Sequence, residues 1–152
     1  EKEISFQTTN TYSTLNTFTS NTKNIWFVCH GMGYLSRYFL RYFDELPSEE
    51  NYIIAPQAPS KYYISPRFKH VGASWLTKEH TLKELVPSDF SFLNKNTKVF
   101  LIYGNNDEYM DAERIHFEKN KAFELFGNAL NIIPFDGKHE VKKEMIKQIL
   151  LK

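Results

Sequence analysis

The sequence predicts an α/β domain in which a mostly parallel sheet is covered by helices on both faces, in three layers. Apolar runs of strand length alternate with segments of helical periodicity, as in that class. Two apolar runs lie in Ile25–Cys29 and Lys98–Tyr103. They lack the alternation of apolar and polar residues that marks a half-exposed strand, and are typical of strands buried on both faces. The length of 152 residues fits one domain, residues 1–152.

The composition excludes several classes of function. A formal net charge of +1 gives no broadly basic surface for nucleic acid. The single cysteine, Cys29, excludes an intramolecular disulfide, and no apolar run approaches the ~18 residues of a membrane span. The histidines lack zinc-ligand spacing. The sequence therefore favours a soluble, cytoplasmic protein with no metal and no cofactor.

The first part of the chain predicts a hairpin followed by a strand–helix–strand unit. Sparse apolar positions among Thr, Asn and Ser predict an N-terminal antiparallel edge hairpin of Glu3–Gln7 and Thr11–Thr17. After the first buried run, apolar residues recur at helical spacing over Leu35–Leu46, and a proline ends the pattern. Tyr52–Ala55 is the next strand. This order predicts a βαβ unit with a right-handed crossover.

The same alternation returns in the second half of the chain. The predicted strand, helix, strand and helix are Lys98–Tyr103, Asp111–Phe126, Leu130–Pro134 and Val141–Leu151. Between them and the first half, Gln57–Thr97 holds a short helical pattern near Lys78–Leu85 but no run typical of a buried strand. So long a stretch without strands is unusual in a compact domain, and indicates a functional loop or a missing segment.

Polar residues follow three of the predicted strands, at the edge where parallel sheets bind ligands. The sequence HGMG, His30–Gly33, precedes a helix, and its backbone N–H groups can stabilise an oxyanion. Asp107 follows the Lys98–Tyr103 strand, and His139 follows the last strand. An acid and then a histidine, each past a strand end with one helix between them, is the order found in an acid–base pair of a hydrolase.

These segments resemble the α/β-hydrolase esterases, close to the phospholipase/carboxylesterase group. Ile25–Gly33 (IWFVCHGMG) is similar to the oxyanion-loop strand of that family, and Gly72–Trp75 (GASW) to a segment after its fourth strand. Lys98–Tyr109 (KVFLIYGNNDEY) resembles the strand and turn that carry the triad acid, and Phe135–Glu140 (FDGKHE) the loop that carries the triad histidine. The resemblance extends from Ile25 to Leu150.

The resemblance implies a shortened α/β-hydrolase fold, the hydrolysis of carboxylic esters, and a small ester or acyl ligand as the partner. Asp107 would be the triad acid, His139 the general base, and the Met32 N–H an oxyanion donor. The oxyanion and substrate-binding residues that we predict are Gly31, Met32, Gly33 and Trp75.

The sequence departs from that family at the nucleophile. No Gly-x-Ser-x-Gly sequence occurs in the chain, and the strand that would carry it is missing near Leu82–Ser88. We therefore interpret the chain as internally shortened. Loss of a triad nucleophile costs on the order of 10⁶ in kcat, so we expect impaired catalysis. Ser74 and Cys29 are poor substitutes, because neither has the strand–turn–helix context of a nucleophile elbow.

Several alternatives stay open at this point. A non-catalytic module would hold a small acyl or aromatic ligand between the Met32 loop, Trp75 and His139. An excision product would take its function from a longer parent. Asp107 also fits an Asx-turn or helix cap, His139 an exposed residue at a helix start, and His30 a structural role.

The missing strand leaves two arrangements of the sheet. Lys98–Tyr103 lies beside Ile25–Cys29 in a smaller closed sheet of a monomer, or the two edges stay open and pair with a second copy. We favour the closed sheet and the monomer.

Overall fold

The structure is a computed structural model, and it describes residues 7–64, 67–75 and 96–151. The chain divides into two compact units, with the boundary between Glu84 and Leu85. Over the described ranges, the helices are all too short or too polar to cross a membrane. The assignment of residues 1–152 to a single domain stays a prediction.

In its described part, the first unit contains a three-stranded sheet, a two-stranded sheet and one short helix. The elements are β1 Tyr12–Leu15, β2 Asn24–Phe27, α1 Ser36–Phe39, a 3₁₀ turn Leu40–Phe43, β3 Asn51–Pro56, β4 Ser60–Tyr63 and β5 Val71–Ser74. The larger sheet has the order β1-β3-β2, with β3 antiparallel to β1 and parallel to β2. The parallel pairing of β2 and β3 around a helix confirms the predicted βαβ connection.

The core of the first unit lies over β3. Ile53 and Ala55 on one face of this strand are fully buried, whereas the alternate positions are half-buried. The helix α1 packs on β1 and β3. The helical spacing of the apolar residues places them on one face, which lies toward the sheet. The buried apolar side chains of α1, the 3₁₀ turn after it and the residues that flank them are Leu35, Phe39, Leu40, Phe43 and Leu46.

The prediction of a three-layer, mostly parallel sheet is wrong. The described strands form three small sheets, of which one is mixed, one antiparallel and one parallel. Within the described chain β2 pairs only with β3, and Ile25 and Phe27 on it are 61% and 70% exposed. A continuous apolar run indicates a strand, but it does not fix how many of its faces are covered.

The expected closed sheet is also wrong, because β2 and the strand over Lys98–Tyr103 belong to different sheets. The N-terminal hairpin needs a correction as well. The strand β1, inside the predicted Thr11–Thr17, pairs with β3, with Tyr12 opposite Pro56. Most of its predicted partner, Glu3–Gln7, lies outside the described residues.

A hairpin that the sequence pattern missed lies within Gln57–Thr97. The strands β4 and β5 are antiparallel, with Ser60 opposite Ser74. The buried positions of β5 are Gly72, Ala73 and Ser74, which are too small to produce an apolar run. The predicted helix near Lys78–Leu85 lies outside the described residues.

The second unit contains two parallel strands and two helices among its described residues. The elements are β6 Val99–Gly104, α2 Ala112–Phe126, a 3₁₀ turn Gly127–Ala129, β7 Leu130–Phe135 and α3 Lys143–Ile149. The register of β6 and β7 runs from Val99 opposite Leu130 to Gly104 opposite Phe135. The predicted order of strand, helix, strand and helix is therefore confirmed.

The ends of α2 follow from its capping residues. The carboxylate of Asp111 accepts the Arg114 N–H at 2.7 Å and satisfies a donor of the first turn. Gly127 follows the last turn with φ +49°, a conformation that glycine adopts without steric cost. Both boundaries agree with the sequence pattern.

Candidate functional site

The loops that follow β6 and β7 are joined by backbone hydrogen bonds. The Asn105 N–H donates to the Phe135 carbonyl at 2.8 Å, and the Asn106 N–H donates to the Gly137 carbonyl at 2.9 Å. Gly104 allows this approach, because a Cβ at that position would lie 2.4 Å from the Gly137 carbonyl oxygen. The two strand ends therefore present their loops side by side.

Asp107 and His139, the predicted acid and base, are hydrogen-bonded to each other. The distance from His139 Nδ1 to Asp107 Oδ2 is 2.8 Å. The second carboxylate oxygen accepts the Tyr109 N–H at 2.9 Å. Since an ionised carboxylate only accepts, Nδ1 carries the proton of the neutral imidazole and Nε2 keeps its lone pair.

The two side chains of this pair differ in exposure. The Asp107 side chain is 5% exposed, whereas that of His139 is 63% exposed. Within the described ranges, His139 Nε2 has no hydrogen-bond partner. The acid is thus sheltered and held at both oxygens, while the imidazole remains open to a reactant.

The surroundings of Asp107 shift its ionisation. Desolvation of the carboxylate raises its pKa, but the hydrogen bond from His139, the hydrogen bond from the Tyr109 amide and the charge of His139 outweigh that effect. The pKa of Asp107 therefore lies below its ordinary value. At neutral pH this residue is the ionised acceptor that fixes Nδ1 of the imidazole.

Tyr109 is a residue of this site that the sequence analysis did not identify. Its ring packs on the imidazole of His139 with a centroid distance of 5.1 Å and an interplanar angle of 77°. Its backbone amide binds Asp107 at the same time. The signal in the sequence was its position two residues after the acid, where an Asx-turn directs the amide to the carboxylate.

Polar contacts hold the loop that carries His139. The Asn106 side-chain amide donates to Asp136 Oδ1 at 2.9 Å, and Lys142 Nζ donates to the Asp136 carbonyl at 2.8 Å. The Lys138 N–H donates to Glu140 Oε1 at 3.3 Å. The first of these bonds joins the loop after β7 to the loop after β6, as the backbone bonds from Asn105 and Asn106 also do, whereas the other two lie within the segment after β7. The Asp107–His139 contact therefore does not depend on one bond alone.

The predicted oxyanion loop, His30–Gly33, belongs to the first unit, and backbone groups of Gly31 and Gly33 form hydrogen bonds within that unit. The Gly33 N–H donates to the Ala73 carbonyl at 3.0 Å, so it does not face a ligand. The Gly31 carbonyl accepts the Tyr34 N–H at 3.2 Å. Among the described residues no backbone carbonyl accepts from the Met32 N–H, and Met32 stays a predicted oxyanion donor.

Trp75, the predicted substrate contact, is bound within the first unit. Its indole N–H donates to the His30 carbonyl at 2.7 Å, and the two rings lie 5.5 Å apart. The indole also packs against the buried residues Leu35, Ala58 and Ala73. These contacts give Trp75 a structural role, and its predicted contact with substrate stays a prediction.

The structural role expected for His30 is confirmed. This side chain is 2% exposed, and its Nε2 accepts the Ala58 N–H at 3.1 Å. Its Nδ1 donates to the Gly31 carbonyl at 2.9 Å. Both ring nitrogens are therefore used to connect the loop after β2 with the segment after β3.

The two substitute nucleophiles gain no support from their surroundings. Ser74 is buried at the end of β5, a strand of an antiparallel hairpin. Burial raises the pKa of the Cys29 thiol, which reduces the thiolate fraction at neutral pH. Neither environment is that of an activated nucleophile.

Within residues 7–64, 67–75 and 96–151, no three His, Cys, Asp or Glu side chains are grouped so that they could hold a metal ion. No family model matches the chain, and no curated protein is significantly similar to it. The resemblance to the esterases therefore stays a prediction from the sequence.

Proposed function

We propose that this chain is an impaired carboxylic ester hydrolase in which His139, held by Asp107, acts as the general base. The observation that carries the proposal is the 2.8 Å hydrogen bond between His139 Nδ1 and Asp107 Oδ2. The resemblance of Lys98–Tyr109 and Phe135–Glu140 to the acid and histidine segments of the phospholipase/carboxylesterase group supports it. The substrate class is a small carboxylic ester.

The chemistry assigns a separate task to each side chain. Asp107 keeps the imidazole in the Nδ1–H tautomer and stabilises the imidazolium that forms when Nε2 takes a proton. The ring of His139 is mostly exposed, so a reactant reaches Nε2 without a rearrangement of the loop. The pair thus supplies general-base catalysis, which contributes typically 10²–10⁴-fold.

The absent serine determines the rate and the form of the reaction. Without a nucleophilic side chain, water is the attacking group. His139 Nε2 takes a proton from that water as the water oxygen adds to the ester carbonyl and forms a tetrahedral intermediate. The bond between the acyl carbon and the alcohol oxygen then breaks, the imidazolium gives its proton to the leaving alcohol, and the products are the carboxylic acid and the alcohol. Because loss of a triad nucleophile costs on the order of 10⁶ in kcat, turnover is slow and forms no acyl-enzyme.

Hydrolysis of p-nitrophenyl acetate tests the proposal. The release of nitrophenol is expected to be slow and linear from the first time points, and His139→Ala is expected to lose most of the protein-dependent rate. His116→Ala is the matched control. His116 is also exposed, but its Nε2 is bonded to the Asn120 side chain at 2.9 Å and not to a carboxylate.

Two results would contradict the proposal. One is an unchanged rate in His139→Ala. The other is a burst of nitrophenol equal to one per chain, which would reveal a nucleophile that Ser74→Ala and Cys29→Ala would then locate. Stabilisation of the protein by the acid product of the ester, without any turnover, would favour the non-catalytic binding module instead.

A further inference from the structure

Tyr109 contacts both members of the acid–base pair through different groups. Its backbone N–H is bonded to Asp107 Oδ1, and its ring packs on His139. We propose that Tyr109 is a positioning residue that holds the His139 imidazole in one orientation and one tautomer. This inference rests on the proposed function, because the orientation matters only where His139 acts as a base.

The backbone contribution concerns the carboxylate. A carboxylate with one free oxygen turns about its last side-chain bond and offers either oxygen to a neighbour. At 2.9 Å the Tyr109 amide occupies Oδ1, which leaves Oδ2 directed to His139 Nδ1. This contact is independent of the side chain at position 109, so substitutions that retain the amide leave it in place.

The side-chain contribution concerns the imidazole. With 63% of its side chain exposed, His139 has few neighbours that prevent rotation of the ring. The edge-to-face contact with Tyr109, at 5.1 Å and 77°, limits that rotation. A rotated imidazole would present carbon to the carboxylate and would lose the Nδ1–H bond.

Because Tyr109 is exposed, substitutions of its side chain test the contact with His139 without disturbing the core. The side chain is 73% exposed, so its replacement leaves no cavity in the fold. Tyr109→Phe keeps the ring, whereas Tyr109→Leu removes it, and both keep the amide. Tyr63→Leu is a matched control, because Tyr63 is an exposed residue of the first unit whose ring packs on Phe68 at 5.1 Å and 82°.

The experiment combines an NMR measurement with kinetics. Nitrogen chemical shifts of the neutral imidazole report the fraction of the Nδ1–H tautomer of His139. Tyr109→Phe and Tyr63→Leu are expected to match the wild type, and Tyr109→Leu is expected to lose tautomer purity. In ester hydrolysis, Tyr109→Leu should lower kcat roughly tenfold at unchanged KM, as expected for loss of one aromatic contact.

The outcomes separate this inference from the proposed function. An unchanged tautomer in Tyr109→Leu overturns the inference, even where His139→Ala abolishes hydrolysis and the proposed function stands. Failure of Tyr109→Phe to match the wild type also overturns it, because the hydroxyl and not the ring would then act. An unaffected rate in His139→Ala overturns the proposed function, and the tautomer measurement still decides whether Tyr109 positions the ring.

Discussion

His139 donates its Nδ1 proton to Asp107 Oδ2 at 2.8 Å, although the two residues are 32 positions apart in the sequence. The contact arises because each residue follows one of two parallel strands, and parallel strands end at the same edge of their sheet. Backbone hydrogen bonds then hold the two loops together. Gly104 permits their close approach, because a Cβ at this position would collide with the Gly137 carbonyl.

Asp107→Asn tests the effect of the carboxylate charge on stability. The folded-state pKa of Asp107 lies below the ordinary value of 3.8, even though desolvation raises it, because the hydrogen bonds from His139 and Tyr109 outweigh that effect. Its contribution to stability is therefore fully present above the unfolded-state pKa and is lost as the pH falls through the folded-state pKa. Urea unfolding at neutral pH should show the variant less stable than the wild type.

At a pH below the folded-state pKa, the same two proteins should have equal midpoints. Asn at this position retains the oxygen that accepts the Tyr109 N–H, so the comparison isolates the charge. A difference that persists unchanged into acid would contradict the assignment of the shift to the ionised carboxylate.

Gly104→Ala tests the close approach of the two loops. The new methyl group would meet the Gly137 carbonyl oxygen at 2.4 Å, so the loops must separate. We expect a loss of about 1–3 kcal/mol in the free energy of unfolding, together with a weaker Asp107–His139 contact seen as loss of the Nδ1–H tautomer. Gly31→Ala is the control, because a Cβ at Gly31 meets nothing within 4 Å. Equal stability of the two variants would argue against the packing at Gly104.

His30→Ala tests the buried hydrogen bonds of the first unit. The substitution leaves the Ala58 N–H without its acceptor, and an unsatisfied buried group costs about 1–3 kcal/mol. It also removes the His30 donor of the Gly31 carbonyl, which keeps its hydrogen bond from the Tyr34 N–H. Thermal or urea unfolding should show a marked loss of stability. The exposed His116→Ala should change the free energy of unfolding by less than about 0.5 kcal/mol. An unchanged free energy of unfolding in His30→Ala would contradict the structural role of the imidazole.

Ile53→Ala and Ile25→Ala test which strand of the first unit is central. Ile53 on β3 is fully buried, and its truncation should cost about 2–5 kcal/mol. Ile25 on β2 is 61% exposed, and we expect a loss below about 1 kcal/mol there. A larger loss at Ile25 than at Ile53 in urea unfolding would support the sequence-based prediction that the strand over Ile25–Cys29 is buried on both faces.

Local sequence signals predicted the second unit well. The helix over Asp111–Phe126 has an N-terminal capping carboxylate and a glycine after its last turn, and the structure begins and ends it there. The strands on either side were read from apolar runs, and their parallel pairing places Asp107 near His139. For these elements, the decisive interactions lie within a few residues in sequence or follow from strand order.

Only the tertiary structure decided which strand faces are buried, how β4 and β5 pair, and which side chains contact His139. The apolar residues of β2 marked a strand, but whether its faces are covered depends on elements distant in sequence, and Ile25 proved exposed. The sequence pattern did not predict the hairpin of β4 and β5. The buried positions of β5 are Gly72, Ala73 and Ser74, and such small residues give no periodic apolar pattern. The ring of Tyr109 beside His139 depends on the folded path of two loops. Sequence thus determined the local elements and the acid–base order, whereas burial and side-chain contacts depended on which surfaces meet in three dimensions.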